Sequence, residues 1–275
     1  LADQPTKSPI HPVKNKPAKG TGDTNMAPAA MASIVFVCVF GGALLGLGLR
    51  NILPEDHLSQ DTKDVVKLGM GVVATMAALV LGLLIASAKE SYDAQSRAVT
   101  QMSANFILVD RLLAHYGPET KGARDRLRGT VALVLDRLWP HSAREGVQLA
   151  PTASAESFFD EIANLEPKND AQRALRDRAL QLSSDIGQTH WLLVEQSALS
   201  IPSPFVALLI LWLSVLFSSF ALFAPPNSTV VATMLLCAIS VSTAIFLILE
   251  LQRPFGGLIQ LSSAPLQSAL ANLSQ

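Results

Sequence analysis

The chain has 275 residues, of which 49% are hydrophobic and 16% charged, with 21 basic against 22 acidic side chains and a net charge of −1. That balance excludes a nucleic-acid binder, because no segment carries the dense basic stripe that phosphate contacts need. Two cysteines, Cys38 and Cys237, both inside apolar runs, exclude a disulfide framework.

The averages conceal a segregation. Thr24 to Leu49, Leu68 to Ala88 and Gln196 to Leu249 contain no Asp, Glu, Lys or Arg. About 20 mostly apolar residues cross a bilayer as a helix, whereas a central charge costs roughly 2.5 to 3.5 kcal/mol on the insertion scale.

In chain order, residues 1–25 form a flexible tail bearing Lys7, Lys14, Lys16 and Lys19, and the chain starts at Leu1, so the tail reads as a leader or a mis-started segment with Met26 or Met31 as native starts. The first span covers Ala27 to Leu49, longer than a signal-peptide core. In the connector, His57 and Asp61 share a helix face near Glu55 and Asp56, but a single histidine without a cysteine or second histidine makes no metal site. The second span, Leu68 to Ala88, meets no Gly or Pro before Arg97, so it continues as one helix from Asp64 to Tyr116, about 75 to 80 Å long.

Three apolar stripes follow at spacings of three and four: Val99, Met102, Phe106, Val109, Leu113, Tyr116; then Leu127, Val131, Val134, Leu138; then Leu175, Ala179, Leu182, Ile186. They predict amphipathic helices packed face to face. Breaks fall at Gly117-Pro118 and Trp139-Pro140, with a loop to about Pro151 and a short helix near Ser154 to Leu165. After Ile201-Pro202-Ser203 the third span runs Pro204 to Phe223 and the fourth Ser228 to Leu249. Ala224-Pro225-Pro226-Asn227 separates the two, with Asn227 or Ser228 capping the fourth helix.

The expected architecture is all-α: a first transmembrane hairpin (26–89), a cytosolic helical bundle (90–200), a second hairpin (201–250) and a cytosolic C-terminal tail (251–275). Four spans place 18 of the 21 basic residues on one face, and the positive-inside rule makes that face, with both termini, cytoplasmic. The lipid bilayer is the first partner.

Within the second span, Ala74, Ala78, Gly82 and Ala86 form a ridge of small residues one helical turn apart, the pattern that lets another backbone approach closely. Gly42 and Gly46 repeat it in the first span. Packing within one subunit is its common use; a place beside a symmetry axis or pore is the functional alternative. Lys67, Lys89 and Arg253 stand at span edges, where such charges either anchor helices or ring a pore mouth. No G-x-S-x-G, H-E-x-x-H or P-loop pattern occurs, and no acid or base interrupts a span. The expectation is a protein without catalytic residues, metal or cofactor, and not an enzyme.

Three runs carry a family resemblance: ALVLGLLIASAK (Ala78 to Lys89), DRLLAHYGPE (Asp110 to Glu119) and RPFGGLIQLSSAP (Arg253 to Pro265). From about Ser33 to Leu270 the chain resembles the bacterial bestrophin-like family of unknown function, distantly related to the bestrophins. The resemblance implies the inner membrane of a bacterium and kinship with pentameric anion channels whose second span lines the pore. Bestrophins narrow that pore with bulky side chains, prominently phenylalanine, but the second span here has no aromatic residue; Val72, Met76, Val80 and Leu83 are the nearest apolar candidates. Animal bestrophins also hold calcium with acids after a Pro-Phe-Gly, whereas Pro254-Phe255-Gly256 is followed by Gly257, Leu258 and Ile259, which predicts no calcium site. Two functions fit: a homo-oligomeric channel, pentameric and anion-conducting, or a non-conducting scaffold bound to a membrane-protein partner.

Overall fold

The computed structural model describes residues 28–54, 60–139, 153–198 and 203–273. Among them the secondary structure is helical throughout: α1 (Pro28–Arg50), α2 (Gln60–Tyr116), a short 3-10 turn (Pro118–Thr120), α3 (Lys121–Leu138), α4 (Ala153–Ala163), α5 (Asp170–Ala198), α6 (Ser203–Phe223), α7 (Ser228–Leu251) and α8 (Ala264–Asn272). Four of these, α1, α2, α6 and α7, are long and apolar enough to cross a membrane.

With no Gly or Pro between Ile85 and Tyr116, α2 extends for 57 residues, about 85 Å at 1.5 Å per residue. The polar helices fold back along its second half. Val99, Met102, Phe106, Val109 and Leu113 of α2, Leu127 and Val131 of α3, Ile162 of α4 and Ala179 and Leu182 of α5 form one buried core. Two caps fix helix starts: Asn169 Oδ1 accepts the Gln172 N–H at 2.8 Å for α5, and Asn227 Oδ1 accepts the Val230 N–H at 2.9 Å for α7.

The apolar helices do not pair as the two sequence hairpins suggest. α1 packs chiefly along α6 and then α7, α2 packs on the same two helices, and α6 and α7 barely meet. Consecutive helices therefore sit diagonally. The cause is the α1–α6 contact, where a Cβ added to Gly42 would stand 3.0 Å from the Ser214 carbonyl oxygen and one added to Gly46 would lie 2.9 Å from the Ser218 carbonyl carbon. The matched order of the two pairs makes α1 and α6 parallel. Arg50, ending α1, donates from Nη1 to the Ala224 carbonyl just past α6, which supplies a partner to an orphaned helix-end acceptor.

The segment after α7, expected as a tail, is instead docked. Phe255, Leu261, Leu266 and Leu273 enter the core of the polar bundle, and α8 lies against α2 and α3. Residues 1–27, the connector residues Glu55, Asp56 and His57, and residues 140–152, where the sequence predicts a loop, lie outside the described residues.

Candidate functional site

The apolar half of α2 presents three faces, set apart by the 3.6-residue turn. Ala77, Val80, Leu81 and Leu84 pack into the core shared with α1, α6 and α7. A second face is an open aliphatic stripe: Val72, Met76, Leu79 and Leu83 are 60%, 54%, 65% and 63% exposed. Their spacing of four, three and four continues toward the helix start through Leu68 and Val65, also exposed, and is the spacing of a helix seam. The third face is the small-residue ridge, about a quarter to a third of a turn from the stripe. Ala74 is half-buried, but Ala78, Gly82 and Ala86 are exposed, and a Cβ at Gly82 would meet nothing within 4 Å. Among the described residues no helix covers Ala78, Gly82 or Ala86.

The four apolar candidates divide between two faces: Val72, Met76 and Leu83 lie on the open stripe with Leu79, whereas Val80 packs into the core. The alternating spacing of four and three that joins them to Leu79 is that of a helix seam. Inside the chain, Gly42 and Gly46 of α1 make the close small-residue contact with α6, while a Cβ at Gly82 of α2 would meet open space.

The edge lysines bracket the apolar half of α2. Lys67 lies 3.9 Å from Asp64, while Lys89 pairs with Asp93 and sits 5.7 Å above the centre of the Tyr92 ring. Such exposed pairs along a helix contribute about 0.3 to 0.5 kcal/mol each.

Arg253, Pro254, Phe255 and Gly256 belong to a clasp at the end of α7. Glu250, only 4% exposed, accepts the Leu258 backbone N–H on Oε1. Between them the chain turns, with the Gly256 N–H donating to the Arg253 carbonyl at 3.1 Å and the Leu261 N–H to the Pro254 carbonyl at 2.7 Å. Pro254 and Phe255 are buried, Gly256 is exposed and Arg253 is half-buried. The Phe255 ring meets Trp139 edge-on at 5.5 Å, and Trp139 Nε1–H donates to the Leu261 carbonyl at 2.8 Å. The partner of Glu250 is a backbone amide, which no side-chain pattern reveals.

The DRLLAHYGPE run builds the far corner of the bundle. Buried Asp110 accepts two hydrogen bonds from Arg124, at 2.6 and 2.9 Å. Those bonds raise the Arg124 guanidinium above its ordinary range against the opposing effect of burial. Gly117 turns the chain at a φ of 143°, open only to glycine. Thr120 Oγ1 then donates to the Leu113 carbonyl at 2.6 Å, and Gln172 Nε2 ties α5 to the Tyr116 carbonyl at 2.9 Å. Among the described residues no three His, Cys, Asp or Glu side chains are grouped to hold a metal ion.

A helical bundle rooted on one very long helix, with apolar helices long enough to span a bilayer, defines a membrane protein built around α2. Residues 37–266 match the bestrophin-like domain, and the chain belongs to the bestrophin-like family. Two crystal structures of a bacterial bestrophin homologue from Klebsiella pneumoniae share its fold. One, carrying an isoleucine-to-threonine mutation, superposes with a TM-score of 0.63 at 14% identity, over 88% of this chain and 97% of that one. The other, carrying a leucine-to-threonine mutation, gives 0.59 at 14% identity, over 86% and 97%. No curated protein matches the chain.

Proposed function

We propose that the chain is the protomer of a homo-oligomeric ion channel in a bacterial inner membrane, pentameric and anion-conducting, with α1, α2, α6 and α7 as its spans and the polar bundle and both termini in the cytoplasm. In this assembly the stripe of Val72, Met76, Leu79 and Leu83 faces the central axis, where rings of aliphatic side chains make a hydrophobic constriction. The ridge of Ala78, Gly82 and Ala86 receives the neighbouring copy, whose backbone approaches closely over small residues. Catalysis, metal and cofactor play no part in this function.

The observation that carries the reading is the double exposure of α2: both its stripe and its ridge lie open in the chain, and only 6% of its apolar window is buried against 22% for the other three. Lipid covers an aliphatic face well, but a ridge of small residues gives lipid tails little to pack on. The family resemblance supports the same assignment of the second span.

Reconstitution into planar bilayers tests the proposal. Current above that of protein-free bilayers, with a reversal potential that follows the anion gradient, is the expected result. Silence across ordinary salts and voltages, or a protein that stays monomeric in mild detergent, would overturn it.

A further inference from the structure

Midway along the polar bundle, α2, α3, α4 and α5 leave a cavity of about 500 Å³ between them. That volume lies within the range of pockets that hold small organic molecules. Its walls are unusually aromatic for a chain with only 6% aromatic residues. Phe106 and Phe158 line it as buried residues, whereas Phe159 and Trp191 remain 41% and 57% exposed. The pocket thus grades from a closed aromatic wall to an open aromatic rim.

Its charges are also unequal. Glu156 and Asp160, one turn apart on α4, both line the cavity, and their carboxylates have no ion pair among the described residues. Arg137 and His190 also line the cavity, each with a partner within the protein, so its wall carries two carboxylates against one guanidinium. Net negative charge beside several aromatic faces favours one ligand chemistry. A cation is attracted both by the ring faces and by the carboxylates, an anion is repelled by both, and a neutral ligand gains burial alone.

We infer that this cavity binds a small organic cation, an ammonium group carried on an aromatic or alkyl body. The apolar body lies against Phe106 and Phe158, and the ammonium sits among Trp191, Phe159 and the carboxylates of Glu156 and Asp160. The site lies outside the apolar helices, so its occupancy does not depend on whether the protein conducts.

Gly187 of α5 also lines the cavity, and a Cβ there would meet nothing within 4 Å. Gly187→Leu therefore fills the pocket without obstructing the fold, and it removes a poor helix former. The test is calorimetric titration of the intact detergent-purified protein with 2-phenylethylammonium, 2-phenylethanol and 3-phenylpropionate. The expected result is saturable binding of the cation about tenfold tighter than the alcohol, with the carboxylate weaker still. Gly187→Leu abolishes cation binding without lowering the melting transition, and Glu156→Gln with Asp160→Asn narrows the cation's advantage over the alcohol to what the aromatic faces supply. Equal or tighter binding of the carboxylate, unchanged titration of Gly187→Leu, or no saturable cation binding at millimolar concentration would each overturn the inference.

Discussion

Two glycines in different apolar helices should respond differently to enlargement. At Gly46, an added Cβ lies 2.9 Å from the Ser218 carbonyl carbon and 3.0 Å from its Cα. The Ser218 carbonyl oxygen lies closer still, and ordinary contacts need about 3.5 to 4.0 Å, so α1 and α6 must part by about 1 Å, which forfeits about half of the dispersion energy of the contacts lining the gap. The obstructing atoms are backbone and no rotamer change relieves them. Gly46→Ala should therefore cost about 1 to 3 kcal/mol, the range of core overpacking. At Gly82 the same construction finds open space, so Gly82→Leu leaves the protomer fold intact and, on the proposed assembly, disturbs the contact between copies. Fluorescence-detected size exclusion after a heating series reads both effects. Gly46→Ala should lower the melting midpoint by several degrees with oligomer size unchanged at low temperature, and Gly82→Leu should shift the oligomer peak toward smaller species. A Gly46→Ala protein that melts with the parent would refute the close packing of α1 on α6; a Gly82→Leu oligomer of unaltered size and stability would remove the ridge from the interface.

Other substitutions separate the remaining roles. Leu79→Ser, on the open stripe, should raise single-channel conductance with little change in melting, whereas Val80→Ser, one residue on and packed in the core, should lower stability by about 1 kcal/mol or more; the opposite pattern would restore Val80 to the pore face. Asp110→Asn leaves Arg124 without its carboxylate and should cost about 3 kcal/mol, the low end for a buried pair because Arg124 is one-third exposed. Pairing it with Arg124→Met should recover part of that loss in chemical denaturation, and strict additivity would show the two residues uncoupled. Glu250→Ala strands the Leu258 N–H and should cost about 1 to 3 kcal/mol. Its mark in hydrogen exchange is faster exchange confined to residues 254–273, largely rescued in Glu250→Gln; unaltered exchange there would dissolve the clasp. Trp139→Phe, losing one hydrogen bond worth about 1 kcal/mol, should loosen the same segment to a smaller degree.

The sequence made some of this legible because water was the reference. In the polar bundle every helix divides into a wet and a dry side, so Val99, Met102, Phe106, Val109 and Leu113 announced a face that is buried residue for residue. The continuity of α2 was legible too, since nothing between Ile85 and Tyr116 can stop a helix. In the apolar half that contrast vanishes. Side chains facing lipid, a neighbouring helix or a constriction are all aliphatic, and Leu79 and Val80 cannot be told apart by polarity. Which helices pair was equally hidden. Connectivity suggested α1 with α2, but the glycines of α1 fit against α6 at Ser214 and Ser218, and the spacing of Gly42 and Gly46 does not say which distant segment they meet.

Glu250 shows a further limit and ties the halves of the molecule together. A charged residue at the end of an apolar helix reads as an anchor or a pore-mouth charge, and Lys67 and Lys89 are exposed. Glu250 instead points inward, holds the turn through Leu258, and lets Phe255 reach Trp139 at the end of α3. The polar bundle is thus fastened to the apolar helices at two described places: through the unbroken α2, and through this clasp from α7. A rigid helix alone transmits displacement along its axis but leaves the bundle free to tilt. A second attachment on another helix removes that freedom, so a shift of the bundle must be shared by α2 and α7 together. Because α2 bears the open stripe, loosening the clasp with Glu250→Ala should broaden the distribution of single-channel current levels even where mean conductance is kept, and an unchanged distribution would confine the clasp to stability.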